Sequence, residues 1–380
     1  MNELEHQLSY ALGDAVPAVG SALEIAPGVR WLRMPLPFAL NHINLWLLRD
    51  EIDGRPGWTI VDCGITSDTT RDAWEQVFAN ELGGLPVLRV IVTHMHPDHM
   101  GLAHWLTERW SGPAAEPPQG GPSPLGGQRS GAAASVGARD CRLWISATDY
   151  NAARLASTAT TGFGGHSAAL FMASHGLTDP DSIAKIKART NYYASMVPKV
   201  PERFRRLMDG DVIRIADHDW TCHAGYGHAP EHMSLHCERL GLLISGDMVL
   251  PRISTNVSVI DIEPEANPLP LYLASLERMR ALPADTLVLP SHGKPFRGLH
   301  TRIDQLQTHH DERFAEVMAA CAQAPQSAAD ILLVMFKREL DLHQTTFAIG
   351  ESIAHLNALW LAGKLLRTLG DDGVFRFRVA

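Results

Sequence analysis

The residues best placed to do chemistry lie together in the stretch VIVTHMHPDHMG, residues 90–101. His94, His96, Asp98 and His99 put four metal-binding side chains within six residues. A catalytic zinc takes three protein ligands and leaves a position for water. Four donors in one short loop therefore predict two ions sharing it, with the missing ligands supplied from elsewhere in the chain. Two divalent cations ~3.5–4 Å apart hold a bridging water, lower its pKa towards neutrality, and polarise a carbonyl or phosphoryl oxygen. Hydrolysis is the chemistry to expect. Imidazole and carboxylate donors without cysteine suit zinc, and also iron or manganese.

Such donors need strands to aim them. Residues 90–92 read as a buried apolar strand that ends at Thr93, just before the ligand loop. Two later apolar runs end the same way: 242–245 leads into Gly246-Asp247, and 286–289 into Pro290-Ser291-His292-Gly293. Ahead of these two runs, His223, His228, His232 and His236 fall within 14 residues. Only one or two of these can be ligands, and the others are strand or loop histidines. Donors at strand ends converge at one edge of a sandwich, where loops are free to aim side chains. Upstream, residues 31–33, 44–48 and 59–61 read as a meander of strands separated by Pro- and Gly-containing turns. The third strand ends at Asp62, read either as a carboxylate that orients a metal-bound histidine or as a turn residue before Gly64. Residues 66–80 carry a helical pattern, 87–93 return as a strand, and 102–110 form a helix.

The chain of 380 residues exceeds the size at which one hydrophobic core stops growing, so more than one domain is expected. Its 45 % hydrophobic and 20 % charged residues are ordinary for a globular protein, and no apolar run approaches the ~20 residues of a membrane span. No export signal is read at the start. Five widely spaced cysteines without a Cys-x-x-Cys pair indicate neither a disulfide framework nor a thiolate zinc site, which fits a reducing cytoplasm. The net charge of −9 disfavours phosphate-rich polymers, whose binding needs Lys and Arg.

Two segments interrupt the pattern. Residues 112–138 hold 7 Gly and 5 Pro in 27 positions, too few large apolar groups to offset ordering entropy, and read as a disordered insertion. Residues 149–207 read as a mostly helical insertion and the natural wall of a substrate pocket. Its His166, His175, Tyr192 and Tyr193 are candidate substrate contacts, though each also reads as an ordinary helix-surface or half-buried side chain.

Taken together, THMHPDHMG, GHAPEH, ISGD and PSHG, each after a strand-like run, resemble the metallo-beta-lactamase superfamily, in particular the binuclear branch that includes glyoxalase II and the lactonases. The resemblance covers residues 29–306 apart from the two insertions. It implies an α+β, four-layer αββα sandwich in residues 1–324 with the metals at one edge. Carried over by motif, His94, His96 and His228 would hold one divalent ion, Asp98, His99 and His292 the second, and Asp247 would bridge both. His228 is preferred to His232 because the family's ligand is the histidine of Gly-His-x-Pro. Asp98 would orient the hydroxide and pass a proton to the leaving group.

Residues 325–380 read as two helices, 327–340 and 344–361, followed by a hairpin around Gly370-Asp371-Asp372-Gly373. This resembles the winged-helix domain of the beta-lactamase-like protein 2 group, which includes an endoribonuclease. The segment holds six basic and six acidic residues, so it lacks the basic stripe of a nucleic-acid grip. A packing role, a homodimer contact or a wall of the active site is expected instead. The leading expectation is a hydrolase of a small ester, thioester or lactone. A single-strand endoribonuclease and a mononuclear iron oxygenase are the alternatives.

Overall fold

A computed structural model describes residues 3–112, 140–160, 162, 164–336 and 338–380. The Gly/Pro-rich insertion lies, from residue 113 onward, outside the described residues.

The first sheet opens as the predicted meander. Strands β1 (Ala22–Ala26), β2 (Val29–Pro35), β3 (His42–Ile52) and β4 (Arg55–Val61) pair antiparallel in sequence order. Helix α1 (Asp68–Asn80) follows, capped by the Ser67 side chain accepting from Thr70 N, and returns the chain to β5 (Val87–Ile91), parallel to β4. The short helix α2 (Pro97–Met100) begins inside the ligand loop, and α3 (Ala103–Trp110) follows it. Strand β6 (Arg142–Ser146) runs parallel to β5. Helices α4 (Ala147–Ala156), α5 (Gly165–Ser174), α6 (Pro180–Ala188) and α7 (Tyr192–Met196) form the predicted helical insertion. Its last residues are not helical: Phe204–Leu207 is strand β7, which pairs with β6 and completes a seven-stranded sheet. A four-residue strand carries too little periodicity to stand out beside a long helical run.

The second sheet has five strands in the order β12-β11-β10-β9-β8. They are β8 (Val212–Ile215), β9 (His218–Gly225), β10 (His232–Cys237), β11 (Leu242–Gly246) and β12 (Leu287–Pro290). Helices α8 (Pro268–Met279) and α9 (Leu299–Gln323) pack behind it. After α9 come α10 (Ala328–Met335), α11 (Leu342–Leu361) and the hairpin β13 (Leu365–Leu369) and β14 (Phe375–Val379). Helix α10 stops at Met335, five residues short of the reading from sequence, and α11 begins two residues earlier.

Three apolar layers hold the sandwich together. Trp74, Val77, Leu106 and Leu143 join the outer helices to the first sheet. Between the sheets, Trp31, Trp46 and Ile91 meet Met233, Leu235 and Ile244. The Trp31 and Trp46 rings stack with centroids 6.4 Å apart. Behind the second sheet, Leu276, Ile303, Ile349, Ile353 and Phe377 share one core, so the C-terminal helices and hairpin are continuous with the body of the protein. At ~1.5–3 kcal/mol per fully buried large side chain, these layers are what fixes the strand ends in space. All five cysteines are free and buried. Among the described residues no helix is long and apolar enough to cross a membrane.

Candidate metal centre

The strand ends of β5, β11 and β12 and the loop after β9 open at the same edge of the sandwich. They bring together two groups of donors: His94, His96, His228 and Asp247, and Asp98, His99 and His292. In the first group His94 Nε2, His96 Nδ1 and His228 Nε2 form a triangle with sides of 2.9, 3.1 and 3.2 Å. Three imidazole nitrogens cannot all donate to one another. The spacing is close to the ~3.4 Å edge of a tetrahedron built on a ~2.1 Å zinc–nitrogen bond, so a cation fits where protons do not. The outward nitrogens have partners that set the ring orientation. His228 Nδ1 donates to Asn256 O (2.7 Å), and His94 Nδ1 lies 3.0 Å from Thr93 Oγ1.

In the second group Asp98 Oδ2 lies 3.4 Å from His292 Nε2 and 3.7 Å from His99 Nε2. His99 Nδ1 donates to Asp62 Oδ2 (2.8 Å) and His292 Nδ1 to His42 O (2.7 Å). Asp247 stands between the groups. Its Oδ2 is 3.3 Å from His228 Nε2 and 3.5 Å from His99 Nε2, and its Oδ1 is 3.5 Å from His292 Nε2. His99 Nε2 and Asp247 Oδ1 are buried without a hydrogen-bond partner. Buried polar atoms left without a partner are costly unless something charged satisfies them.

The two groups differ in electrostatics. Burial, reinforced by neighbouring histidines, pushes His94 well below its ordinary pKa and His96 down to about 3, which keeps these imidazoles neutral with lone pairs free. Burial also pulls on His99 and His292. There the carboxylates prevail: Asp62, Asp98 and Asp247 hold His99 well above its ordinary value, and Asp247 and Asp98 raise His292 to about 10. This half of the site calls for positive charge, supplied by a proton or by a cation.

Several supporting residues were not singled out from the sequence. Asp149, capped by Ser146 at the start of α4, accepts from Met95 N (2.8 Å) and Glu231 N (2.6 Å), so one buried carboxyl ties the His94-His96 loop to the loop of His228. Its burial raises its pKa to about 6. Asn44 donates to Pro290 O (2.8 Å) and Gly293 O (3.0 Å) on either side of His292. The only signal in the sequence was their place near strand ends. Asp62, left open between two readings, takes hydrogen bonds from Thr93 N and His99 and sits at φ 62°, a left-handed strain that the surrounding structure must support. His232 Nε2 accepts from Asp247 N (3.1 Å), so its inward nitrogen is already committed. Gly246 has φ 54°, and a Cβ there would collide with His232.

The four substrate-wall candidates separate. Tyr193 is buried and donates its hydroxyl to Met95 O between His94 and His96. Tyr192, half-buried, meets His343 of α11 with rings 5.9 Å apart, and His343 stacks on Phe38 from the β2–β3 loop at 5.7 Å. His166 is exposed on α5. His175 is buried against Phe171 and Phe375, with its carbonyl accepting from Ala329 N, at the junction with the C-terminal hairpin. The structure thus brings Tyr192 and Tyr193 to the ligand loop and does not bring His166 or His175 there.

A sandwich of two sheets with histidines and aspartates gathered at one edge has known counterparts. Residues 40–292 match the metallo-beta-lactamase superfamily, and residues 314–380 match the metallo-beta-lactamase-like C-terminal domain. The chain belongs to the metallo-beta-lactamase superfamily. The C-terminal match begins inside α9. Among solved structures, a beta-lactamase domain protein from Burkholderia ambifaria is 56 % identical, with 100 % of each chain covered and a TM-score of 0.88. The metallo-beta-lactamase family protein TTHA1429 from Thermus thermophilus shares the fold at 23 % identity, covering 94 % of this chain and 100 % of its own, with a TM-score of 0.70. A curated relative from Bacillus subtilis (strain 168), "Probable metallo-hydrolase YqjP", is 20 % identical over 334 residues, 86 % of this chain and 91 % of the relative.

Proposed function

We propose that the chain is a hydrolase that holds two divalent metal ions, with His94, His96 and His228 around one, Asp98, His99 and His292 around the other, and Asp247 between them. The observation that carries this reading is the meeting of the two donor groups at Asp247, with His99 Nε2 and Asp247 Oδ1 buried there without a hydrogen-bond partner. Bound there, two such ions supply a nucleophilic hydroxide and polarise a carbonyl oxygen. The residues of the chain do the rest. Asp62, Asn256 O and His42 O fix the ligand imidazoles by their outward nitrogens. Asp98, at 18 % exposure the most open carboxylate of the set, orients the attacking water and carries its proton to the leaving group. Tyr192, His343 and Phe38, whose rings pack on one another, are read as an apolar wall that suits a small ester, thioester or lactone.

The endoribonuclease reading draws its support from the winged-helix-like tail. Against it, two of the six basic side chains there are already paired with carboxylates: Arg376 with Asp372 and Arg367 with Glu265. Five buried free thiols suit a reducing cytoplasm.

The test is metal quantification on the purified chain with assays on thioesters, lactones and single-stranded RNA. Two ions per chain and ester or lactone turnover that disappears in Asp98→Ala are expected. RNA cleavage that disappears in Asp98→Ala, with no turnover of small esters, would overturn the proposal. One iron per chain with oxygen uptake would overturn it in favour of an oxygenase.

A further inference from the structure

Glu351 is a buried carboxyl that the proposed chemistry does not use. It lies in the middle of α11 at 9 % exposure. Its Oε2 accepts from Asn256 Nδ2 at 3.4 Å. The same Asn256 offers its backbone carbonyl to His228 Nδ1 at 2.7 Å. Residues 254–260 form neither helix nor strand, so their path is set by what they touch. They touch α11: Val259 N donates to Gly350 O (3.0 Å), and Ser258 Oγ donates to Asn256 Oδ1 (2.8 Å) beside the Phe347 carbonyl. A Cβ on Gly350 would come within 2.8 Å of Ser258 Cβ, so helix and segment are in direct contact. At its other end the segment holds Asp247, whose carbonyl accepts from Thr255 Oγ1.

Packing alone gives no reason to keep an acid here. A buried carboxyl with one long hydrogen bond destabilises a fold, and an apolar residue of similar volume would serve better. Its partner is the residue that orients His228.

We infer that Glu351 is a positioning residue for the metal centre: acting through Asn256, it fixes the carbonyl that aims the His228 imidazole, and so couples the C-terminal domain to the ion at His94, His96 and His228. The inference rests on the metal reading proposed above. Hydrogen-bond partners one step beyond a metal ligand change metal affinity by ~10–100-fold when removed, and Glu351 lies one step further out, so the low end of that range, about tenfold, is the size of effect to look for.

The experiment is zinc competition against a chromophoric chelator, with melting temperatures, on the full-length chain and its variants. Glu351→Leu is expected to weaken one of the two zinc ions by about tenfold and leave the other within about twofold. Glu351→Gln, which keeps an acceptor for Asn256, is expected to restore wild-type affinity. Asn256→Ala should reproduce the loss, and Asn256→Ala combined with Glu351→Leu should lose no more than either alone, as expected for two residues acting in one path. Asn256→Ala carries the same test should Glu351→Leu fail to fold. If His228→Ala binds both ions as the wild type does, the metal reading itself fails. If His228→Ala loses an ion while Glu351→Leu or Asn256→Ala keeps both at full affinity, the metal reading stands and the role of Glu351 is overturned. Equal weakening in Glu351→Gln and Glu351→Leu also overturns it.

Discussion

Among the described residues two groups of buried histidines differ in what surrounds them, and only one includes the carboxylates that a cation would need. At the sandwich edge five histidines share a site with Asp98 and Asp247, backed by Asp62. Between α9 and α11, His310 and His355 lie fully buried with His310 Nδ1 3.3 Å from His355 Nε2. Burial pushes His310 down to about 2 and His355 to about 4, and the Arg313 guanidinium that acts on both is positive. A cation placed there would meet the same repulsion. Depressed histidines alone therefore do not mark a metal site. Carboxylates among them do, because they supply the opposing charge that makes burying an ion tolerable.

The largest expected contrast comes from removing a donor in each group. Asp247→Ala should cost both ions and lower turnover by at least ~10³-fold, about 4 kcal/mol of barrier. His310→Ala should still retain two ions per chain on metal analysis after dialysis, and loss of an ion from it would abolish the distinction between the groups.

The next contrast lies in pH. Glu351 has its carboxyl pKa raised to about 7 from 4.5, so ionising it opposes folding: its cost is absent below pH 4.5 and complete above about 7. Urea unfolding of the metal-free chain should show Glu351→Gln gaining up to about 3 kcal/mol at pH 8 and nothing near pH 4.5. A gain independent of pH would show that the carboxyl is not the cause.

Neighbouring histidines should also behave differently. His228→Ala is expected to lose an ion, whereas His232→Ala keeps both and loses ~1–3 kcal/mol in thermal unfolding, because the Asp247 amide is left without its acceptor. Equal metal loss in the two variants would reverse the choice between them.

The smallest effect belongs to the second cluster. His355 is neutral when folded, and the unfolded residue takes a proton near 6.5, so stability falls as pH drops from about 6.5 towards 4. His355→Phe should flatten that acid limb by about one proton, ~1.4 kcal/mol at pH 5.5. An unchanged slope would place the acid sensitivity elsewhere.

Six of the seven proposed donors were legible in the sequence because they follow a local pattern, an apolar run of strand length and then His or Asp beside Gly, at residues 90–101, 242–247 and 286–293; His228 was preferred to His232 only through the family resemblance. The meander, α1 and the closing hairpin were legible for the same reason, since their periodicity and turn residues lie within a few positions of one another. The strand at Phe204–Leu207 and the fate of His166 and His175 were not, because a short strand and a lone histidine carry no period. What the amino-acid sequence determined by itself was therefore which side chains can do chemistry and that strands deliver them. Only the tertiary structure decided what holds them in place. Asp149 reaches 54 residues back to Met95 and 82 forward to Glu231, and Glu351 meets Asn256 across 95. Such contacts are single polar pairs between distant segments, set by how the layers pack rather than by any local spacing, and no stretch of sequence read alone contains them.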